Sequence, residues 1–281
     1  MKNDNHSIQI IIVLYKIKLE DCISYKTLCN YISNLLFKYE IIIYNNSQEI
    51  IIDENNNYFV VNSVKNEMLA GAYNFALERA IKNNRNWLLL LDQDTYLTKD
   101  YFEQINFTLN NYENLAVIIP KLMSDKVHIS PNSCFSLIGH WGKMNIIQTK
   151  GIIKNKTILA LNSAALISVQ ALQKIGGFSL EFPLYELDYW VFYNLCKNKE
   201  IFYLMDVVLT HDLSMLDYQN KMTRKRYDSI INAEYKFSKQ IGIFAFLTFK
   251  IRLFFRIIKQ FVIKEKRPYT ILTLKYLFKI I

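Results

Sequence analysis

The chain is short of several things, and each shortage narrows the field. Only four of its 281 residues are cysteine, at positions 22, 29, 134 and 196, and no two have C-x-x-C spacing. That argues against a zinc ribbon and a disulfide scaffold, and scattered thiols of this kind suit a reducing compartment. Cys22 and Cys29 are expected on one helix as buried thiols. Seven glycines and four prolines exclude a collagen-like or low-complexity chain. No window offers about 18 uncharged apolar residues, so no transmembrane helix is expected. The polar start MKNDNHS has neither an apolar h-region nor a cleavage site, so no signal peptide is expected either. There is no internal repeat.

Apolar residues are plentiful. The chain is 51% hydrophobic and 14% aromatic, enough for one sizeable globular core and an appendage. Its charge of +9 is unevenly spread. From Lys221 onward, 15 Lys and Arg stand against Asp228, Glu234 and Glu265, whereas the first 220 residues hold 19 basic and 22 acidic residues. A slightly acidic front, 1–220, and a strongly basic tail, 221–281, are therefore expected to have different jobs.

The front alternates between strand and helix patterns. Ile8–Tyr15, Glu40–Tyr44, Tyr58–Val61, Trp87–Leu91 and Ala116–Ile119 read as strands, the last ending before Pro120. Leu19–Leu36, Met68–Ile81 and Lys99–Leu109 read as helices, and Met68, Ala72, Phe75 and Ala76 form the apolar stripe of the second. Ile129–Ser168 looks β-rich, with Gly139, Gly142 and Gly151 as turns. Gln170–Ile175 is a helix capped by Gly176-Gly177, Glu186–Lys197 is another, and Ile201–Leu209 is a strand. This alternation predicts an α/β domain with a mainly parallel central sheet. Ligands of such sheets bind beyond the carboxyl ends of the strands. Tyr15-Lys16, Asn45-Asn46-Ser47 and Asp92-Gln93-Asp94 stand there and should converge on one edge.

The tail reads as helical from Thr223. Arg252, Arg256 and Lys259 share one face of Ile241–Ile263, and Leu247, Ile251, Phe254, Ile258 and Phe261 share the other. Such a helix is expected to lie in a membrane surface, its basic face toward anionic head groups. The competing expectation is that the apolar face covers the front domain or a second copy. The charge alone suggests nucleic acid, but the sequence has no recognition module, so no nucleic-acid partner is expected.

The chemistry centres on WLLLLDQDTY, residues 87–96. Four leucines end in two carboxylates one residue apart. Aspartates at strand ends often make Asx-turns or helix caps. A D-x-D on the predicted ligand edge points instead to a divalent metal beside substrate phosphates. Phosphatases of the haloacid-dehalogenase type write D-x-D-x-[TV], but here Tyr96 takes the last place and three strands precede the motif.

Several motifs fit another family in order and spacing: IIVLY, YNNS, NEMLAGAYNFAL, DQD, SAALIS with IGGF, LYELDYW and VVLTHDLS. Over roughly Ile8 to Ser214 the chain resembles the inverting family-two glycosyltransferases of the GT-A fold, particularly the rhamnosyltransferase-like branch. The resemblance implies a GT-A-type fold with a helical basic appendage. It also implies transfer of a sugar, with rhamnose among the candidates, from a nucleotide diphosphate sugar donor to a glycan or lipid-linked saccharide acceptor. Tyr15, Asn45, Asn46, Ser47, Asn74, Asp92 and Asp94 would line the donor site, with Asp92 near the ribose or sugar. Asp94 would hold Mg²⁺ or Mn²⁺. His211 would join it or satisfy loop backbone. Asp188 falls where the family places its catalytic base, with Glu186 as a rival, and Trp141 and Trp190 would stack on sugars or fill core. Asn45, or Tyr44 under a one-residue shift, stands where the family has its base-contacting aspartate, and Glu67 where it often has glycine. The work would be done in the cytoplasm, peripherally at the inner face of the membrane. A catalytically degenerate nucleotide- or glycan-binding assembly partner is the alternative.

Overall fold

A computed structural model describes residues 3–124, 126–134, 145–153, 157–211 and 222–279. Trp141, Gly139, Gly142 and the Asp212–Ser214 end of VVLTHDLS lie outside them. The chain forms two compact units, Met1–Asn132 with Ile146–Asp212, and Ser133–Asn145 with Leu213–Ile281.

The first unit opens with β1 (Asn3–Leu14), α1 (Ile23–Tyr31), β2 (Phe37–Asn45), β3 (Phe59–Asn62) and α2 (Met68–Lys82). Next come β4 (Trp87–Leu91), β5 (Thr95–Tyr96), α3 (Lys99–Asn111), β6 (Val117–Ser124) and β7 (Val127–Ser130). Along the chain β8 (Asn132–Cys134) and β9 (Asn145–Ile146) come next, at the two ends of the Ser133–Asn145 segment assigned to the second unit, and the first unit resumes with β10 (Gly151–Ile153), β11 (Thr157–Leu159) and β12 (Ala165–Ser168). The unit closes with α4 (Val169–Lys174), α5 (Leu187–Lys197) and β13 (Phe202–His211).

One mixed sheet runs β10-β13-β6-β12-β4-β1-β2-β3, with β5 on β13 and β7 on β6. Strands β3, β2, β1 and β4 are mutually parallel, so their carboxyl ends share one edge. β12 runs antiparallel between β4 and β6, and β13 is parallel to β6. Ile10, Ile11 and Ile12 of β1 and Leu88–Leu91 of β4 are all fully buried, because both sheet faces are covered. At about 1.5–3 kcal/mol for each large apolar side chain buried, these runs fix the strand ends firmly.

Three local expectations change. β6 does not stop before Pro120 but continues to Ser124. Its pairing with β13 shifts register between Ile119↔Leu204 and Lys121↔Val208, so the proline falls at an irregularity where no ladder N–H is needed. Leu19–Leu36 is not one helix. A 3-10 turn covers Leu19–Asp21, α1 begins at Ile23, and the Ile23 and Ser24 N–H groups both donate to the Gln93 carbonyl. Cys22 therefore caps α1, its Sγ accepting from Tyr25 N–H at 3.3 Å, and is buried, while Cys29 is exposed rather than buried. In α2 the buried face is Tyr73, Ala76, Leu77 and Ala80 with Ala70 and Ala72, whereas Met68 is exposed. Small alanines let the helix approach the sheet closely, so the bulky Met68 is left at its edge. Arg79, at the far end of the same helix, pairs with Glu40 of β2 and lies 3.8 Å from the ring centroid of Phe59 in β3.

The second unit is built on α6 (Arg224–Ile241), α7 (Ile243–Val262) and α8 (Thr270–Phe278). Tyr227, Ile231, Tyr235, Phe246, Phe249, Leu253 and Tyr276 form its core. Gly242, at φ +140°, makes the break between α6 and α7 that a side chain would resist. Two cations of α7 are used internally. Arg256 makes two bonds to Glu234, at 2.8 and 3.0 Å, and the Lys250 ammonium donates to the carbonyls of Tyr276, Leu277 and Lys279.

Candidate active site

The edge formed by β1, β2 and β4 gathers the three polar clusters. Tyr15 N–H donates to Gln93 Oε1 at 2.9 Å, and Lys16 N–H donates to Ser47 Oγ at 2.6 Å. Tyr15 itself is 45% exposed. The YNNS turn is buried and bonded to its surroundings. Asn45 Nδ2 donates to the Ile50 carbonyl and Asn62 Oδ1, and its Oδ1 accepts from Ser47 N–H. Asn46 bridges Met68 O and Glu67 N–H at the start of α2. These side chains shape the rim.

Asp92 leaves β4 with both carboxylate oxygens engaged. Tyr73 of α2 donates its hydroxyl to Oδ1 at 2.9 Å, and Ser163 donates to Oδ2. Ser163 belongs to the turn before β12, which is fastened to β4 by Ala164 N–H on the Leu90 carbonyl at 2.8 Å. Burial and the charges of Asp92 and Asp188 push the Tyr73 phenol well above its ordinary range, so it remains a donor.

Two residues on, Asp94 Oδ1 lies 3.4 Å from His211 Nδ1, which is also 3.1 Å from Thr95 Oγ1. The pairing of β5 with β13, His211 opposite Thr95, delivers the imidazole there. One ligand atom each from Asp92, Asp94 and His211 lies within 4.8 Å of the others. Two hard carboxylates and one imidazole are a donor set that fits Mn²⁺ or Mg²⁺ and leaves positions for phosphate or water.

Asp188 stands in the first turn of α5, after Glu186 in a left-handed conformation at φ +63°. It is half-buried. Burial raises its pKa well above the usual carboxylate range, and the charge of Asp92 and then that of Glu186 add to this; the Asn162 backbone N–H opposes them. The Asn162-Ser163 turn thus touches both carboxylates. Trp190 is buried core. Asn74 makes a paired contact with the backbone of Phe178, donating to its carbonyl at 2.8 Å and accepting from its N–H at 2.9 Å. That contact brings the Asn74 side chain against Gly177, whose φ is +80° and where a Cβ would meet Asn74 Oδ1 at 2.7 Å.

The structure therefore brings Asp92, Asp94 and His211 together, with Asp188 in electrostatic reach of Asp92, while Asn45, Asn46, Ser47 and Asn74 serve neighbouring backbone. Sequence reasoning missed Tyr73 and Ser163. The only available signal for Tyr73 was a hydroxyl among the alanines of α2.

The model of the family "Glycosyl transferase family 2" matches residues 17–176. No curated protein matches the chain. Among solved structures, S. aureus TarS 1-349 is similar at TM-score 0.51 and 13% identity, over 96% of this chain and 91% of that one. At that identity the likeness concerns fold, and the fold is of the GT-A type with a C-terminal helical region.

Proposed function

Since the chain belongs to glycosyl transferase family 2, we propose that it moves a sugar, with rhamnose a candidate, from a nucleotide diphosphate donor to a glycan or lipid-linked acceptor, with inversion. The observation that carries this reading is the strand end that collects Asp92, Asp94 and His211 while Asp188 sits nearby with a raised pKa.

Asp94 and His211 would hold Mg²⁺ or Mn²⁺, with Asp92 beside them facing the ribose or sugar. The bound ion would neutralise charge on the diphosphate. Asp188 accepts the proton of an acceptor hydroxyl as that oxygen attacks the anomeric carbon. The bond from that carbon to the diphosphate oxygen breaks, and the nucleoside diphosphate leaves with the electron pair. Attack from the far face inverts the centre without a covalent enzyme intermediate. The raised pKa gives the ionised Asp188 a greater proton affinity, and a cation held beside Asp92 would favour that ionised form. Tyr15 and the buried YNNS turn line the donor side, and Asn74 holds the segment leading to α5.

The basic C-terminal unit brings the enzyme to the inner face of the cell membrane, where lipid-linked acceptors lie. Among the described residues no helix is long and apolar enough to cross a membrane.

A thermal-shift screen of nucleotide sugars with Mn²⁺, followed by a transfer assay, tests the proposal. Asp188→Asn is expected to keep donor binding and lose transfer. Unchanged turnover would remove Asp188 from the base role, and no stabilisation by any nucleotide sugar would favour a degenerate binding partner.

A further inference from the structure

The sequence pattern predicts a tail helix that lies in a membrane surface with its basic face, Arg252, Arg256 and Lys259, toward anionic head groups. The structure redistributes that charge. Arg256 is bonded to Glu234 inside the unit, and Lys250 sits on the carbonyls that end α8. What α7 turns outward is instead apolar: Phe244 is 68% exposed and Phe261 60%, with Leu247, Ile251, Phe254 and Ile258 open between them. These positions fall in one arc along a helix of 20 residues, about 30 Å long. Phe244, Phe254, Phe255 and Phe261, all more than half exposed, alone leave roughly 350–600 Å² of apolar surface, as much as the largest patch of an ordinary monomer.

We infer that this outward face of α7 docks on an anionic lipid bilayer by inserting its apolar side chains at the interface, with ionic attraction secondary. Charge selects the occupant. The chain from Lys221 onward carries 15 basic and three acidic residues, and one of those acids, Glu234, is already paired. A second copy would bring one strongly basic tail against another, whereas an anionic bilayer is complementary to that net charge. Lys259 is exposed beside the apolar arc and suits a head-group contact. The inference rests on the membrane-face acceptor proposed above and adds the surface and its mode of attachment.

Full-length protein is sedimented with vesicles of phosphatidylcholine containing about 30% phosphatidylglycerol. Raising NaCl from about 0.1 to 0.5 M should weaken partition less than about threefold, because salt screens charge and not apolar insertion. Leu247→Ser/Phe254→Ser/Phe261→Ser should weaken it more than about tenfold at either salt. Wild-type-like binding by this variant overturns the inference, as does complete release of wild type by salt. A wild-type dimer that ignores vesicles and that the variant dissociates assigns the face to a second copy and also overturns it. Should the triple variant misfold, Phe254→Trp replaces it: brominated lipid should quench the added fluorescence, and an unquenched Trp overturns the inference. Donor hydrolysis without vesicles reports separately on the catalytic reading, and the triple variant should retain it.

Discussion

Ser163→Ala tests how the Asp92 carboxylate is held. The substitution removes one hydroxyl from a buried turn and leaves Asp92 Oδ2 without its bond, while Tyr73 still serves Oδ1. A hydrogen bond to a charged acceptor is worth about 1.5–3 kcal/mol. For a unit of this size that corresponds to a fall in Tm of about 3–12 °C. If half of the energy appears in donor binding, Kd rises roughly 4–12-fold. Calorimetric melting and titration with donor and Mn²⁺ read the two quantities. Tyr73→Phe and the double variant complete a cycle, and two donors on one carboxylate should couple by about 0.5–3 kcal/mol. An unchanged Tm together with an unchanged Kd in Ser163→Ala refutes the reasoning.

Asp94→Ala should cost at least about tenfold in Mn²⁺ affinity, measured by paramagnetic resonance without donor, because it removes one of two carboxylates from the cluster. Burial raises the Glu40 pKa, but hydrogen bonds from Arg79 and Asn83 and the charges of Arg79 and Arg85 more than reverse this, leaving it lowered. Its contribution is therefore present above the unfolded value near 4.3 and is lost as pH falls through the lower folded value. Glu40→Gln should cost about 1–2 kcal/mol at neutral pH, and the gap from wild type in denaturant melts should close in acid below that range. Burial pushes the Cys22 thiol up to about 11, while Cys29 is exposed. Alkylation at mildly alkaline pH, followed by mass spectrometry, should modify Cys29 first, by on the order of a hundredfold; equal rates would contradict the capping role of Cys22.

Much of the front unit could be read from its sequence, because buried parallel strands are continuous apolar runs. Trp87–Leu91 is the clearest case, and it placed Asp92 and Asp94 at the ligand edge. The misreadings share a cause: they depended on partners distant in sequence. Pro120 lies inside β6 because of an irregularity in its pairing with β13. The Leu19–Leu36 helix breaks because the Gln93 carbonyl takes two of its N–H groups. Ser163 could not be linked to Asp92 without knowing that β12 runs antiparallel beside β4. Arg256 looked like a surface cation because nothing in a helical period shows that Glu234 of another helix will meet it.

Within one turn of α2 lie three contacts. Ala70 N–H donates to the Pro183 carbonyl at 3.0 Å, Tyr73 holds Asp92, and Asn74 brackets Phe178. Phe178 and Pro183 belong to the segment that leads into α5 and Asp188. The helix thus acts as a common ruler: Asp92 and the segment that carries Asp188 are both measured from the same few residues. One residue inserted between Ala70 and Asn74 would turn the later contacts about 100° around the axis. It would displace Asp92 and the segment carrying Asp188 together, so the spacing between the two carboxylates depends on the length of this single turn.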